Sequence, residues 1–312
     1  MPVKRLKASE YTVGIICCSP AALAACKFML DKEHGRPLME PGNVCKGVYN
    51  AGTIHSHNVV ITSLPLGYSG STSVATAAHC MALLFPSLEL RFLVGVGGGN
   101  VVVNTTYGGV VQYDREQRKP SPPQSEWIDV VANTSYNGVV QYNGLEWELC
   151  PSEWLDALNK IMADQAEQGC NRITENISAL TERDCLTKHR RPEVDVLFRA
   201  NSHHVKDANT CDGCDERCII PRPARKHNNP VIHYGMIACG DRVIEAGLKR
   251  DQISMELGGA ICLSTETADL YDAPYIAICG ISSYADSHGS DTWGPYAAAA
   301  AAGFAKEMLL CL

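Results

Sequence analysis

"TVGIICCSPAALAACKFML", residues 12–30, carries the reading on which the fold turns. Its first seven residues form a compact run of β-type side chains, the pattern of a buried strand. Ser19 then offers a hydroxyl to cap a helix, and Pro20 supplies the fixed φ suited to a first helical turn. Leu23, Phe28 and Leu30 follow along that helix. A strand running directly into a helix is half of an α/β unit.

The unit recurs. "HNVVITSLP" (57–65) reads as a second buried strand, "STSVATAAHCMALLF" (71–85) as a helix capped near Ser71, and "LRFLVGVGGG" (90–99) as a strand ending in a glycine-rich turn. Trp154, Leu158 and Ile161 recur at helical spacing and predict a helix over 151–168. Strand signals return at "VIHYGMIACG" (231–240), "GAICLST" (259–265) and "PYIAICGISS" (274–283), and a last helix is predicted to start between Trp293 and Tyr296. This alternation predicts an α/β sheet with helices on its faces, and open sheets of that kind bind ligands at the carboxyl ends of their strands. Two stretches depart from it. "VVVNTTYGGVVQYD" (101–114) returns as "VVANTSYNGVVQYN" (130–143), a tandem element with a proline- and charge-rich loop between the copies. Residues 199–230 are polar, irregular and punctuated by proline.

A chain of 312 residues with 46% apolar and 20% charged side chains is ordinary globular material and long enough for one large domain. Its formal charge of −7 disfavours a polyanionic partner, and no interleaving of aromatic and basic residues marks a nucleic-acid surface. The first ten residues lack the apolar core of a secretion signal. The alanine-rich tail "YAAAAAAGFAKEMLLCL" is interrupted by Lys306 and Glu307, so a packed terminal helix is expected rather than a membrane span. Fifteen cysteines, an odd number set mostly in strand-like runs, read as buried hydrophobes of a reducing, cytoplasmic compartment.

Several residues invite chemistry, each beside a plainer role. Cys211, Cys214 and Cys218 in "TCDGCDERC" have metal character, with His203, His204 and His227 nearby in sequence. Zinc needs four placed ligands, however, and no second cysteine pair exists at matching spacing, so loop thiols and no metal are expected. "GVGGG" lacks dinucleotide-fold spacing and the phosphate-loop lysine. It is either a turn where any side chain would clash or a cleft whose backbone N–H groups meet an anion or sugar oxygen. Hydroxyl-rich "GYSGSTS" (67–73) faces the same choice between turn and cleft. Glu266 is either an ion-paired structural acid or a carboxylate accepting hydrogen bonds from two adjacent sugar hydroxyls. Val243 and Ile244 are otherwise ordinary core residues.

Together "YTVGIICCSPAALAACKFMLD", "LPLGYSGSTSVATAA", "LVGVGGG", "VIHYGMIACGDRVI", "ELGGAICLSTETADLYDAPYIAICGISSYADSH" and "WGPYAAAAAAGFAKEML" resemble the nucleoside phosphorylase and nucleosidase superfamily, in particular fungal methylthioadenosine/S-adenosylhomocysteine nucleosidase-like domains. The resemblance implies a single three-layer α/β/α domain around a twisted mixed sheet. That domain would span 11–312 behind an N-terminal extension, 1–10, with an insertion around 100–143 and the irregular loop around 199–230. The second repeat copy fits the expected strand better than the first. It also implies a homo-oligomer, such as a dimer, acting on a small molecule without a cofactor, nucleic acid or membrane.

In such nucleosidases one glutamate activates water and one aspartate protonates the departing purine. The matching positions here hold Ala22 and Ser283. Glu266 matches the ribose-binding acid, Gly97 and Gly98 the turn near sugar or phosphate, and Val243 and Ile244 the base pocket; Tyr234 and Thr265 complete the candidate ligand-binding set. Cys279 stands where many relatives place an arginine. Alanine cannot take a proton from water, and serine is a poor general acid near neutral pH. The catalytic candidates are therefore Glu266, Ser283, Asp286 and His288, the last two lying where a substitute acid would be sought. Asp269 and Asp272 are more simply surface charge or a helix cap.

Three functions compete. The first is a diverged small-molecule enzyme, as in fungal secondary metabolism, an expectation that fits a chain without an attached signalling domain. The second is N-glycosidic cleavage of a purine nucleoside by hydrolysis or phosphorolysis. The third is a catalytically inactive ligand-binding or scaffold protein.

Overall fold

The computed structural model describes residues 4–40, 47–64, 71–99, 110–112, 128–129, 139–142, 145–148, 152–168, 172–206, 208, 210–222, 228–233, 237–240, 242–257, 259–265 and 275–312. Among them the strands are β1 (Val13–Cys17), β2 (Lys32–His34), β3 (Asn50–Ile54), β4 (His57–Ser63), β5 (Leu90–Gly99), β6 (Val110–Gln112), β7 (Ile128–Asp129), β8 (Val139–Tyr142), β9 (Leu145–Glu148), β10 (Ile237–Cys239), β11 (Cys262–Ser264) and β12 (Ile276–Ser283). The helices are α1 (Pro20–Phe28), α2 (Ser71–Leu84), α3 (Ser152–Gln168), α4 (Arg172–Thr181), α5 (Gly247–Glu256) and α6 (Gly294–Cys311).

Ser19 caps α1 as its sequence predicts, its Oγ accepting from the Ala22 N–H at 3.2 Å. Ten of the described strands make one mixed sheet in the order β2-β3-β4-β1-β5-β11-β10-β6, with β12 alongside β5 and β7 beyond it. The β1 strand runs parallel to both β4 and β5, and β12 runs parallel to β5. β2, β3 and β4 pair antiparallel, as do β5 and β11.

Alternation along β1 sorts the two faces. Ile15 and Cys17 join a core with Phe92, Val94, Ile276 and the buried sides of α1, α3, α4 and α6. Ile16 points the other way, with Val60 and Leu93, into a core closed by Val74, Met81 and Phe85 around α2. The result is the expected three-layer α/β/α arrangement about a twisted sheet, each sheet face covered by helices.

The alanines of α6 let it lie close across the sheet, and Ala298, Ala299 and Ala302 are almost wholly buried. Its closest approach is at Gly280, where a Cβ would fall inside the Ala297 backbone. The tail is thus a packed helix, and no helix among the described residues is long and apolar enough to cross a membrane.

Two expectations shift. The glycine-rich stretch is not a turn, because β5 continues as strand through Gly99. Of the tandem repeat, Val110–Gln112 from the first copy lies beside β10 in the main sheet, whereas Val139–Tyr142 from the second pairs with β9 in a separate hairpin. Ile128–Asp129, the lead-in to the second copy, also joins the main sheet, beside β12. Most of both copies lies outside the described residues, as do Tyr234, Glu266, Asp269, Asp272 and His227.

Candidate functional site

The far half of β5 is where three segments converge. Ile281 stands opposite Gly97, then the register slips at a bulge, and Ser283 stands opposite Gly98. Bulges of this kind re-aim a side chain at the end of a strand. Gly98 and Gly99 meanwhile pair antiparallel with Leu263 and Cys262 of β11. A methyl group on Gly97 would sit 2.7 Å from the Leu263 carbonyl, and one on Gly98 would sit 2.9 Å from Ser283 Oγ. These glycines are required by backbone crossing at the strand ends. Of the two sequence readings, close approach is the one the geometry explains.

Beyond β12 the chain makes a tight polar turn. Ser283 Oγ accepts from the Ala285 N–H at 3.2 Å, and Ala285 takes a left-handed φ of 49°. Asp286 is buried; its Oδ1 accepts from the His288 N–H at 2.9 Å, an Asx-type turn, while its Oδ2 has no partner. The His288 ring stacks on Phe198 with centroids 3.8 Å apart and planes 9° from parallel. Burial holds its imidazole below the usual range, against the opposing pull of Asp286. Ile244 packs with Ala285, Ala238 and Leu263 below the turn, whereas Val243 is 71% exposed.

Ala22 is wholly buried at the start of α1 among Cys17, Ala25 and Cys26. The structure thus brings Gly97, Gly98, Ser283, Asp286, His288 and Ile244 around one strand-end turn. It separates Val243 from that cluster by exposure. Thr265 follows directly on β11, next to the strand that crosses Gly98.

Residues outside the sequence-based set fix this turn. Tyr284 Oη donates to Asp195 Oδ1 at 2.6 Å and accepts from Arg222 at 2.6 Å, and Arg222 also reaches Asp195 Oδ1 at 2.9 Å. Burial, then the bond to Asp195, pushes the Tyr284 hydroxyl up to about 12, so it remains a donor throughout the physiological range. Arg250, buried on α5, donates to the Tyr284 carbonyl at 2.6 Å. The His204 N–H donates to Ser287 Oγ at 2.9 Å. The stretch that reads as an irregular excursion is therefore bound to the turn at several points. Tyr284 follows the late strand directly, but no local spacing links it to Arg222, 62 residues away.

Among the described residues the arrangement is a polar rim at the carboxyl ends of β5 and β12 whose buried carboxylate, Asp286, gives one oxygen to the turn and leaves the other without a partner. Ser283 and Asp286 each serve the turn with one oxygen. A depression of about 250 Å³ elsewhere, lined in part by Leu30, His34, Arg36 and Tyr49 near β2 and β3, includes none of these residues.

No family model matches the chain. A nucleotide-binding leucine-rich repeat (NLR)-like protein of Hyaloscypha variabilis is 31% identical over 326 aligned positions, covering 98% of this chain and 30% of that protein. The chain thus spans under a third of the relative it matches. The crystal structure of a 5'-methylthioadenosine/S-adenosylhomocysteine nucleosidase of Helicobacter pylori matches with a TM-score of 0.54 at 14% identity, over 100% of both chains. Futalosine hydrolase of Helicobacter pylori matches with a TM-score of 0.52 at 14% identity, over 97% of this chain and 99% of that one. At that identity what is shared is the fold, and the fold is that of these nucleosidases.

Proposed function

We propose that this domain is a diverged nucleosidase-fold protein that holds a nucleoside- or ring-shaped small molecule at the strand-end turn and does not cleave N-glycosidic bonds by the usual acid–base route. The observation that carries this reading is the fate of Ser283. It occupies the place of the purine-protonating acid, and its oxygen is engaged by the Ala285 N–H. Support comes also from Ala22, which sits in dry core where a water-activating carboxylate would be needed. One positioned acid or base contributes roughly 10²–10⁴-fold to rate, so loss of two leaves ordinary nucleoside hydrolysis very slow. A chemistry suited to such a site orients a reactive substrate and stabilises polar character with fixed hydroxyl and backbone dipoles. Glu266 is assigned the sugar-facing role within this reading, and Tyr234, Thr265 and Ile244 the ring-facing wall.

The test is a binding and product screen. Calorimetry against adenosine, inosine, methylthioadenosine and a wider metabolite panel is expected to find a ring-shaped ligand. Chromatography is expected to find no rapid purine release. Fast purine release that vanishes in Asp286→Ala or His288→Ala would overturn the reading and make one of those groups the substitute acid.

The NLR-like relative favours a second reading, in which the same cleft serves recognition within a longer protein. Binding without turnover across the whole panel supports it over an enzyme.

A further inference from the structure

We propose that His204, Cys211 and Cys214 bind a zinc ion, with Nδ1 of His288 as the fourth ligand, so that the metal ties the 195–222 stretch to the turn after β12. The sequence offers the cysteines but hides the set, because the fourth donor lies far along the chain. In the fold the donor atoms of His204, Cys211 and Cys214 all lie within 4.8 Å of one another. Two thiolates on one tetrahedral zinc are about 3.8 Å apart, so closure asks for a contraction of at most about 1 Å. Cys211–Gly213 is a single 3₁₀ turn, and the Cys214 N–H returns to the Cys211 carbonyl at 3.0 Å. That knuckle is what a Cys-x₂-Cys pair needs to present both sulfurs to one ion. A donor set of two thiolates and imidazole suits zinc and excludes the hard oxygen-seeking cations.

The histidines carry the argument further. His204 Nδ1 faces the Val205 carbonyl at 2.8 Å and Nε2 faces the Thr210 carbonyl at 3.1 Å. A neutral imidazole has one N–H to donate, so one of those contacts opposes two lone pairs. Metal-bound histidines use one nitrogen as ligand and give the other N–H to a carbonyl or carboxylate, which resolves the conflict.

His288 brings an independent sign. Its side chain is 4% exposed, yet Nδ1 has no hydrogen-bond partner. Its ring lies 5.6 Å from the His204 ring at 73°, and its Nε2 faces Ser202 Oγ at 3.5 Å. It stands outside the set of donors within 4.8 Å of one another, so its ligation asks the turn to close on the ion. Two imidazoles on one tetrahedral zinc place their ring centres about 5 Å apart. Asp286 stands beside it, Oδ1 4.0 Å from Nδ1, with its second oxygen buried and unpartnered.

The experiment is metal analysis of the full chain purified in zinc-containing buffer and then desalted. About one zinc per chain is expected, and cobalt substitution should give thiolate-to-metal charge transfer with the intense d–d bands of a tetrahedral site. Cys211→Ser and Cys214→Ser should each lose the metal, whereas Cys218→Ser retains it. His288→Ala should weaken binding by about 10-fold or more and alter the cobalt d–d bands. Because a ligand variant can fail to fold, chelation of the unmutated chain supplies a second readout: its melting temperature should fall with chelator and return with zinc. Metal-free protein that takes up neither ion, a Cys211–Cys214 disulfide in protein isolated with zinc, or zinc content unchanged in Cys214→Ser would each overturn the site. An unchanged cobalt spectrum in His288→Ala would overturn the fourth ligand.

Discussion

The entrance to α1 and the turn after β12, which the sequence resemblance matches to the acid positions of a nucleosidase, are built in opposite ways. The Ala22 side chain lies in apolar packing: the residue is wholly buried, and its neighbours Cys17, Ala25 and Cys26 belong to the main core. Around Ser283 almost everything is polar: a serine oxygen, a buried aspartate, a tyrosine between an arginine and an aspartate, and an arginine on a carbonyl. One position lies in hydrophobic packing and the other in a hydrogen-bonded rim. An acid introduced at each therefore meets a different environment.

The largest effect is expected from Ala22→Glu. A carboxylate placed there meets the packed side chains of Cys17, Ala25 and Cys26 and must either stay neutral or force the helix outward. The cost is about 3 kcal/mol or more, enough to appear as poor solubility or a large fall in melting temperature. A variant as stable as the parent would show that the α1 entrance opens to water and would erase the contrast. Gly280→Ala probes the same dry side of the sheet. Its methyl would overlap the Ala297 backbone, so α6 must shift, at a cost of about 1–3 kcal/mol in thermal or urea unfolding.

The polar side should answer more mildly. Tyr284→Phe removes the oxygen shared by Asp195 and Arg222 and leaves the Asp195–Arg222 ion pair at 2.9 Å in place. A loss of about 1–2 kcal/mol is expected. Limited proteolysis should then cut first within 195–222, because the rim loosens before the sheet does. Ser283→Asp comes next. Its carboxylate can still accept the Ala285 N–H, and a loss of about 1 kcal/mol or less is expected. If the cleft keeps its ancestral shape, that variant should raise purine release from methylthioadenosine above the parent. Demonstrated nucleoside binding with no gain in release would count against the lead functional reading.

What the sequence could convey follows the same divide. The β1–α1 unit was legible because Ser19, Pro20 and the apolar run act over neighbouring residues, and the structure returns a capped helix at Pro20. α3 was legible from the local spacing of Trp154, Leu158 and Ile161, and α6 from the helical propensity of its alanines. "GVGGG" announced a need for glycine but not its form, since the demand comes from Leu263 and Ser283, which reach it from distant parts of the chain. The 195–222 stretch was illegible as a rim. Its contacts to Tyr284, Ser287 and His288 span more than 60 residues and leave no periodic trace. Sequence also offered His288 near a mouth as a candidate proton donor and Asp286 more simply as a support of the loop. In the fold Asp286 caps the turn at the His288 N–H, and the imidazole is stacked on Phe198.

The smallest effect is a pH dependence, and it tests whether the rim is as dry as its histidine implies. Burial is the leading influence that holds His288, His34 and His57 below the value of a free imidazole. In the unfolded chain these groups take up protons near pH 6.5, whereas in the folded chain they resist until lower pH. The unfolded state then binds more protons across that window, and stability falls as the pH falls. With chelator present to exclude any metal contribution, the melting temperature should decline between pH 7.5 and 5.5. His288→Asn should flatten part of that decline, since it removes one of the three titrating rings and leaves His34 and His57 in place. A slope in the opposite direction would mean that Asp286 outweighs burial at His288 and holds the ring protonated. The rim would then contain an internal ion pair in place of a neutral imidazole, and the contrast with the α1 entrance would be one of charge as well as polarity.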